Sequence, residues 1–194
     1  NYDTPYAVAT GHSHGYWAAY LKHAGYDGIV FTGKAKKPVY LWIDDDKVEI
    51  RDAAKVWGKD TRETERLIKR ELGDEEKISV ACIGPAGERL VKFANIMIGG
   101  NNSVGRGGMG AVMGAKNLKA IAVRGSQRPR AADPKGVKSV AAAGAAEFKT
   151  NRGMQELGEL GTAGIVAGQD FAGGLPTRNY QSGVFEDFEA ITGE

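Results

Sequence analysis

The residues best suited to chemistry lie in a glycine-rich segment, residues 99–116, with the sequence GGNNSVGRGGMGAVMGAK. Seven of its first seventeen residues are glycine, none is acidic, and Arg106 and Lys116 are its only charges. Glycine weakens helices and strands, so this density indicates backbone that takes positive φ angles or approaches another group closely. Exposed N–H groups beside a guanidinium favour an anion, most often a phosphate. Four apolar residues favour an ordered segment over a flexible linker: Val104, Met109, Val112 and Met113.

A second candidate is the turn GHSHG at residues 11–15. Alternate histidines such as His12 and His14 can bind a metal, but no carboxylate or thiolate is close to them in the sequence. The simplest interpretation is a polar turn before a helix, whose first N–H groups would also favour an anion. The two turns, 11–15 and 99–108, could therefore bind one ligand that carries two phosphates.

The glycine-rich segment also contains the pattern G-x-G-x-x-G, at Gly105, Gly107 and Gly110. Such a pattern binds dinucleotides when it directly follows a strand and an acidic residue lies about twenty positions further on. Here GGNNSV intervenes after a strand predicted to end at Ile98, and the first acidic residue is Asp133. Both features disfavour dinucleotide binding, and the segment lacks the Gly-Lys-Ser/Thr ending of a Walker phosphate loop.

Composition limits the class of protein. The 194 residues are 42% hydrophobic and 26% charged, which is typical of soluble globular proteins. A net charge of +2 is too small to imply nucleic acid or a membrane surface as a partner. No apolar run reaches the ~18 residues of a membrane span, and we recognise no secretory signal. The single cysteine, Cys82, lies in an apolar run and is expected to be buried. A cytoplasmic setting fits best, and the abrupt ends predict a piece of a longer polypeptide.

Hydrophobic patterning predicts the elements that must position these turns. Strands are predicted at 6–10, 28–32, 39–43, 48–51, 78–83, 90–98 and 118–123, and helices at 16–24, 61–72 and about 110–115. The second helix has a clear start and end, because Asp60 and Glu63 form a capping box and Gly73 is a C-terminal stop. GPAGE, at 84–88, is predicted to be a turn. Hairpins that alternate with helices favour an α+β fold over a regular βαβ array.

The composition changes at residues 126–134, which are polar and carry two prolines. We predict a linker there, between an α+β domain at 1–125 and the start of an α-helical domain at 135–194. Helices are predicted in the second part at 135–149, 154–160 and 162–169.

Several phrases stand together in order: KHAGYDGIVFTGKAKKPVYLWI, IRDAAKVWGKDTRETE, IGPAGERLVKFANIM, GRGGMGAVMGAKNLKAIAV and LGTAGIVAGQDFAGGLPTRNYQSGVF. Over essentially the whole chain they closely resemble the aldehyde:ferredoxin oxidoreductase family of tungsten-pterin enzymes. The resemblance implies tungsten, or sometimes molybdenum, held between two pyranopterins whose phosphates are joined by magnesium. It also implies a nearby [4Fe-4S] cluster, and an N-terminal α+β platform for the cofactor followed by helical domains.

Carried over by position, the resemblance implies that the pterin-binding residues are Ser13, His14, Gly15, Asn102, Gly105, Arg106, Gly107 and Gly108. It implies that magnesium binds the main-chain carbonyls of His12 and Ser103. Arg106 suits a phosphate because its guanidinium is a planar fork of donors. Asn102 stands where family members can have an arginine, so that contact keeps a donor and loses the charge. No catalytic residue is assigned, because the family's cluster cysteines and acid–base groups would lie beyond Glu194.

The reaction that the resemblance implies is oxidation of an aldehyde to a carboxylic acid. The electrons would leave through the cluster to ferredoxin or an iron-sulfur subunit, in a homo-oligomer or hetero-oligomer without nucleic acid or membrane insertion. The same family includes reductases of aromatic acyl-CoA thioesters, of the benzoyl-CoA reductase type, and the N-terminal segment does not separate the two. A third alternative is a non-catalytic module that binds a nucleotide or another phosphate ligand.

Overall fold

A computed structural model describes residues 8–73 and 76–193 of the chain. The chain divides into two compact units after Pro129. The first unit is an α+β domain built on one six-stranded sheet, and the second is helical. The predicted fold class is therefore confirmed.

The sheet of the first unit has the strand order β2-β1-β6-β3-β4-β5. Its strands are β1 (Val39–Asp44), β2 (Lys47–Asp52), β3 (Ser79–Cys82), β4 (Ile96–Ile98), β5 (Asn102–Val104) and β6 (Leu118–Arg124). Only β1 and β6 are parallel, and the other neighbours are antiparallel. The strands β1, β6 and β3 lie inside the sheet and are mostly buried, while β2 and β5 are its edges.

Four helices accompany the sheet: α1 (Trp17–His23), α2 (Thr61–Leu72), α3 (Pro85–Glu88) and α4 (Met109–Ala115). The ends of α2 are those that the sequence predicted. The Asp60 carboxylate accepts a hydrogen bond of 2.8 Å from the Glu63 N–H, and Gly73 ends the helix with φ of 81°. Both signals are local, so they act whatever the helix packs against.

The two faces of the sheet carry separate cores, because successive side chains of a strand point to opposite faces. On one face, Tyr40 and Trp42 of β1 pack in the same cluster as Ile68 of α2. On the other face, Leu41 and Ile43 pack in the same cluster as Leu21 of α1. The helices α1 and α2 therefore cover opposite faces.

Three predictions about the first unit are wrong. Residues 28–32 form no strand and pair with none of the six strands of the sheet. Ile29 and Phe31 still pack against the α1-side core, while Val30 is exposed. Residues 84–88 contain α3 rather than a turn, and of 90–98 only Ile96–Ile98 is a strand. Of the strand predicted at 6–10, residues 6 and 7 lie outside the described residues, and 8–10 are irregular.

The second unit contains α5 (Pro134–Phe148), α6 (Arg152–Leu160) and α7 (Val166–Phe171). The helix predicted at 162–169 is instead a 3₁₀ turn, Gly161–Ile165, followed by α7. None of the residues 130–193, all of which the structure describes, is buried. Across both described ranges, no helix is long and apolar enough to cross a bilayer.

Candidate functional site

The glycine-rich segment begins as a tight hairpin at the edge of the sheet. Ile98 of β4 pairs with Asn102 of β5, and Gly99 and Gly100 turn the chain with φ of 57° and 74°. After β5, Gly107 and Gly108 take φ of 84° and 67° in the turn that leads into α4. Glycine adopts such angles at the lowest cost, so the turn conformation explains these four glycines.

The helix α4 is fixed by close backbone packing against residues 87–95. A Cβ on Gly114 would lie 2.7 Å from the carbonyl carbon of Gly87, and one on Gly110 would lie 2.8 Å from that of Ala94. The Gly110 N–H also donates to the Ala94 carbonyl at 2.9 Å. Because α4 directly follows the turn at 105–108, this packing also fixes the end of that turn.

The two turns that the sequence singled out lie against each other. A Cβ on Gly11 would lie 2.9 Å from the Arg106 carbonyl oxygen, and one on Gly15 would lie 2.9 Å from the Asn102 side-chain nitrogen. A Cβ on Gly107 would lie 3.3 Å from that of Ala9. Two segments that are far apart in the sequence therefore form one surface, as binding of a shared ligand requires.

The first turn has a backbone that is open to a ligand. Within the described ranges, residues 11–15 make no backbone–backbone hydrogen bond, and the Ser13 hydroxyl donates to the His14 carbonyl at 3.1 Å. His12, His14 and Gly15 are exposed, and Ser13 is half-buried. Unpaired backbone groups need a partner, so water or a ligand must satisfy them.

The second turn contributes the positive charge. Ser103, Gly105 and Arg106 are exposed, while Asn102 and Gly107 are half-buried and Gly108 is buried. Arg106 forms no ion pair with a described residue, and the sequence has no acidic residue at 8–26 or at 89–132. The surface formed by the two turns therefore favours an anion over a cation at its side chains.

An apolar cavity of 240 Å³ lies beside the first turn, between Ser13–Gly15 and the sheet. Its other lining residues are Trp17, Ala18, Ala81, Ile96, Ile98, Val104 and Ile121. The Trp17 indole N–H donates to the Ile121 carbonyl at 3.2 Å, which holds the ring over the sheet. Sequence reasoning missed this cavity because its walls come from separate elements. A larger cavity, of 350 Å³, lies near Phe31–Ala35 and is lined by no predicted site residue.

The structure corrects one argument against dinucleotide binding but supports the conclusion. The strand β5 does directly precede Gly105, and the sequence had not predicted it. However, β5 is an antiparallel edge strand, and the next strand, β6, pairs with β1 and β3 instead of β5. A dinucleotide site needs adjacent parallel strands joined by the helix, and this arrangement lacks them. Among the described residues, no group of three or more His, Cys, Asp or Glu side chains could hold a metal ion.

A buried ion pair supports this region and was not predicted. Lys119 of β6 is fully buried, pairs with Glu88 of α3 and donates to the Lys59 carbonyl at 2.9 Å. Both oxygens of Glu88 accept from the Gly58 N–H, at 3.0 and 2.9 Å. Cys82 is buried as expected, and burial raises the pKa of its thiol to about 12. The pair ties α3, which packs on α4, to the centre of the sheet.

Comparisons with known proteins agree on one family. A family model described as aldehyde ferredoxin oxidoreductase, N-terminal domain, matches residues 5–125. The chain is 48% identical over 188 residues to a tungsten-containing aldehyde ferredoxin oxidoreductase of Pyrococcus abyssi, which covers 96% of this chain and 31% of that protein. It is 40% identical to the WOR-like subunit of an aliphatic sulfonate oxidoreductase of Pyrococcus furiosus, over 89% of this chain and 29% of that protein.

Among solved structures, the chain resembles the active site complex BamBC of benzoyl coenzyme A reductase in complex with 1,5-dienoyl-CoA. The TM-score is 0.70 at 46% identity, and the match covers 72% of this chain and 21% of that chain. The chain spans about a third of the length of the curated relatives that it matches. On the matched family model and these identities, the chain belongs to the aldehyde ferredoxin oxidoreductase family.

Proposed function

We propose that this chain forms part of the cofactor-binding site of a tungsten-pterin oxidoreductase. We call the part formed by the turns at 11–15 and 102–108 the cofactor seat. The observation that carries the proposal is the contact between the turn at 11–15 and the turn at 102–108. Each turn offers backbone to a ligand, and their contact lets one doubly phosphorylated group reach both. The relatives named as tungsten-containing enzymes support tungsten as the metal, with molybdenum as the alternative.

The residues present fit a phosphate-bearing group. Arg106 is exposed beside the open backbone of 11–15, and neither segment contains a carboxylate that would repel a phosphate. Arg106, Asn102 and the glycines of the second turn would bind phosphate, and Ser13, His14 and Gly15 would bind it from the first turn. The exposed main chain at His12 and Ser103 would offer carbonyl oxygens to magnesium, a cation that prefers oxygen ligands.

The chemistry of the reaction belongs to the bound group, since a tungsten-pterin centre supplies two-electron redox chemistry and an iron-sulfur cluster passes electrons on singly. The residues of this chain bind and orient that group. We propose oxidation of an aldehyde to a carboxylic acid, with ferredoxin or an iron-sulfur subunit as the electron acceptor, in an oligomeric cytoplasmic enzyme.

Reduction of an aromatic acyl-CoA thioester is the second candidate, and the 46% identity to a benzoyl coenzyme A reductase complex favours it. Relatives at 48%, 40% and 46% identity are named for aldehyde, sulfonate and acyl-CoA chemistry. The seat is therefore compatible with more than one substrate. Assays of the complete polypeptide with an aldehyde and a viologen acceptor, and with an aromatic acyl-CoA and a reduced donor, distinguish the two.

Metal analysis of the complete, purified polypeptide tests the cofactor. We expect tungsten or molybdenum at about one atom per chain and release of a pterin on denaturation. Protein that contains neither metal and binds a nucleotide instead would refute the proposal and favour a non-catalytic binding module.

Substitution of Arg106 tests the seat itself. A charge-assisted hydrogen bond contributes about 1.5–3 kcal/mol, so Arg106→Ala should weaken cofactor retention about ten- to a hundredfold. The matched control is Arg128→Ala, which removes an exposed arginine that the structure places in no ion pair with a described residue. Tungsten content after dialysis should fall in the first variant and stay unchanged in the control. Equal tungsten content in both variants would contradict the role of Arg106.

A further inference from the structure

The outer face of α2 carries three arginines that the cofactor seat does not use. Arg62, Arg66 and Arg70 stand at positions i, i+4 and i+8 and are all exposed. The opposite side of the helix is its packing side, where Thr64 and Ile68 are buried. The three guanidinium groups therefore form one stripe, about 12 Å long at 1.5 Å per residue. We call Arg62, Arg66 and Arg70 the arginine stripe.

The acidic residues of α2 do not neutralise this stripe, because each has a basic partner elsewhere. Glu63 pairs with Lys59 at 3.1 Å and Glu65 pairs with Lys69 at 2.8 Å. Glu71 accepts a hydrogen bond of 2.7 Å from the Tyr40 hydroxyl and lies 3.8 Å from Arg51.

Within residues 8–73 and 76–193, none of the three arginines of the stripe forms an ion pair or hydrogen bond with its side chain. Like charges at i, i+4 destabilise a helix. The interactions of the three charges with one another therefore do not stabilise α2.

A groove of 310 Å³ runs beside the stripe. It lies between Arg62, Arg66 and Lys69 of α2 and the hairpin turn at Gly100 and Asn101. Glu65 also lines it, but its carboxylate is held by Lys69. The groove therefore presents two unpaired guanidinium groups beside a turn whose lining residues, Gly100 and Asn101, carry no charge.

The stripe and the cavity beside the first turn lie on opposite faces of the sheet. Ile68 of α2 packs with Tyr40 and Trp42 on one face of the sheet. The cavity beside the first turn is lined by Ile121, which belongs to the core cluster of the other face. A ligand on the arginine stripe would therefore not enter that cavity, although Gly100 and Asn101 of the groove directly precede Asn102 of the second turn.

We infer that the arginine stripe is a docking surface for the acidic face of a second protein. Guanidinium groups bind carboxylates through paired hydrogen bonds, and successive stripe residues are spaced by about 6 Å along the helix axis. A row of carboxylates with the same spacing, such as glutamates at i, i+4 and i+8 of a helix, complements all three at once. The length of the stripe favours such a row over a single phosphate, which one or two of the arginines would satisfy.

Two synthetic helical peptides of equal charge test the inference on the complete polypeptide. In the first, three glutamates stand at i, i+4 and i+8, and in the second the same glutamates are distributed around the helix. Fluorescence anisotropy at low ionic strength should give a dissociation constant about tenfold lower for the first peptide, and the difference should shrink as salt is added.

Variants of the protein assign the binding to the stripe. Arg62→Glu/Arg66→Glu should weaken binding of the first peptide at least tenfold, because attraction at two positions becomes repulsion. Arg62→Lys/Arg66→Lys keeps the charge and should lose only the preference between the peptides. Lys135→Glu/Lys138→Glu changes the charge by the same amount on exposed positions of α5 and should leave binding unchanged.

Three results would overturn the inference. One is equal binding of the two peptides, and another is equal weakening by the α5 control. The third is tighter binding of inorganic tripolyphosphate than of the first peptide, which would identify the stripe as a phosphate site. Tungsten content is measured in every variant and should not change, so failure here is distinct from failure of the proposed cofactor seat.

Discussion

Replacing Lys119 by methionine should destabilise the protein strongly. The Lys119 ammonium is fully buried, and the Glu88 carboxylate that it pairs with is nearly so. Removal of one partner leaves a buried charge uncompensated, which costs about 3–5 kcal/mol. Glu88 keeps the Gly58 N–H as a donor, so we expect the lower half of that range.

The double variant Lys119→Met/Glu88→Leu separates charge from packing. It removes both charges and leaves the Gly58 N–H without its acceptor, which costs about 1–3 kcal/mol. The double variant should therefore be more stable than Lys119→Met alone, although it carries an additional substitution. Replacing a buried pair by apolar residues is often neutral or stabilising, which points the same way.

Chemical denaturation of the complete polypeptide measures these free energies of unfolding. The reasoning fails if Lys119→Met costs less than about 1 kcal/mol, the value of an exposed pair. It also fails if the costs of the two single variants simply add in the double variant, since residues in contact should be coupled. Tungsten content provides a second readout, because the pair holds α3, and α3 packs on the helix that follows the glycine-rich turn.

Two further predictions concern packing and titration. Gly114→Ala should destabilise the fold by about 1–3 kcal/mol, because its methyl group would overlap the backbone of Gly87. The control Gly144→Ala lies within α5, where the added methyl group would meet nothing beyond the backbone of its own helix, and it should stabilise that helix by about 0.5–1 kcal/mol. Equal effects of the two variants on the free energy of unfolding would contradict the packing argument. The Cys82 thiol should resist alkylation at pH 9–10 until the protein unfolds, because burial raises its pKa from 9.0 to about 12. Since the thiol of the unfolded chain ionises first, the free energy of unfolding should fall as the pH rises from about 9 towards 12. The fall should be less steep in Cys82→Ala, which lacks the thiol. Rapid alkylation of Cys82 in the folded protein would refute this reasoning.

The parts of the fold that the sequence predicted best are those with local causes. The helix α2 begins at Asp60 and ends at Gly73, and both boundaries depend on hydrogen bonds or φ angles within a few residues. The strands β1 and β2 share a short connecting turn in which Asp45 has φ of 51°. In each case the deciding interactions involve neighbours in the sequence, so the sequence alone contains them.

The parts that the sequence did not predict depend on distant residues. Residues 28–32 have the composition of a buried strand, but Ile29 and Phe31 pack against the α1-side core without pairing with any strand of the sheet. The strand β5 is short and lies in a glycine-rich segment, so its composition gives no sign of pairing with β4. From the sequence alone, Lys119 would be expected to be an exposed lysine of a strand. Its burial depends on Glu88 of α3, which is 31 residues away in the sequence.

The glycines of 99–116 illustrate why a site can be located from composition and still be misread in detail. Gly107 and Gly108 serve the turn, since their φ angles are positive. Gly110 and Gly114 serve packing, since a Cβ there would overlap the backbone of residues 87–95. The sequence does not distinguish the turn glycines from the packing glycines, and it led us to interpret all of them as part of an anion-binding backbone. Only the packing glycines, Gly110 and Gly114, hold α4 and therefore the end of the turn at 105–108 in place. Substitutions at Gly110 or Gly114 should thus impair ligand binding although neither residue contacts the ligand.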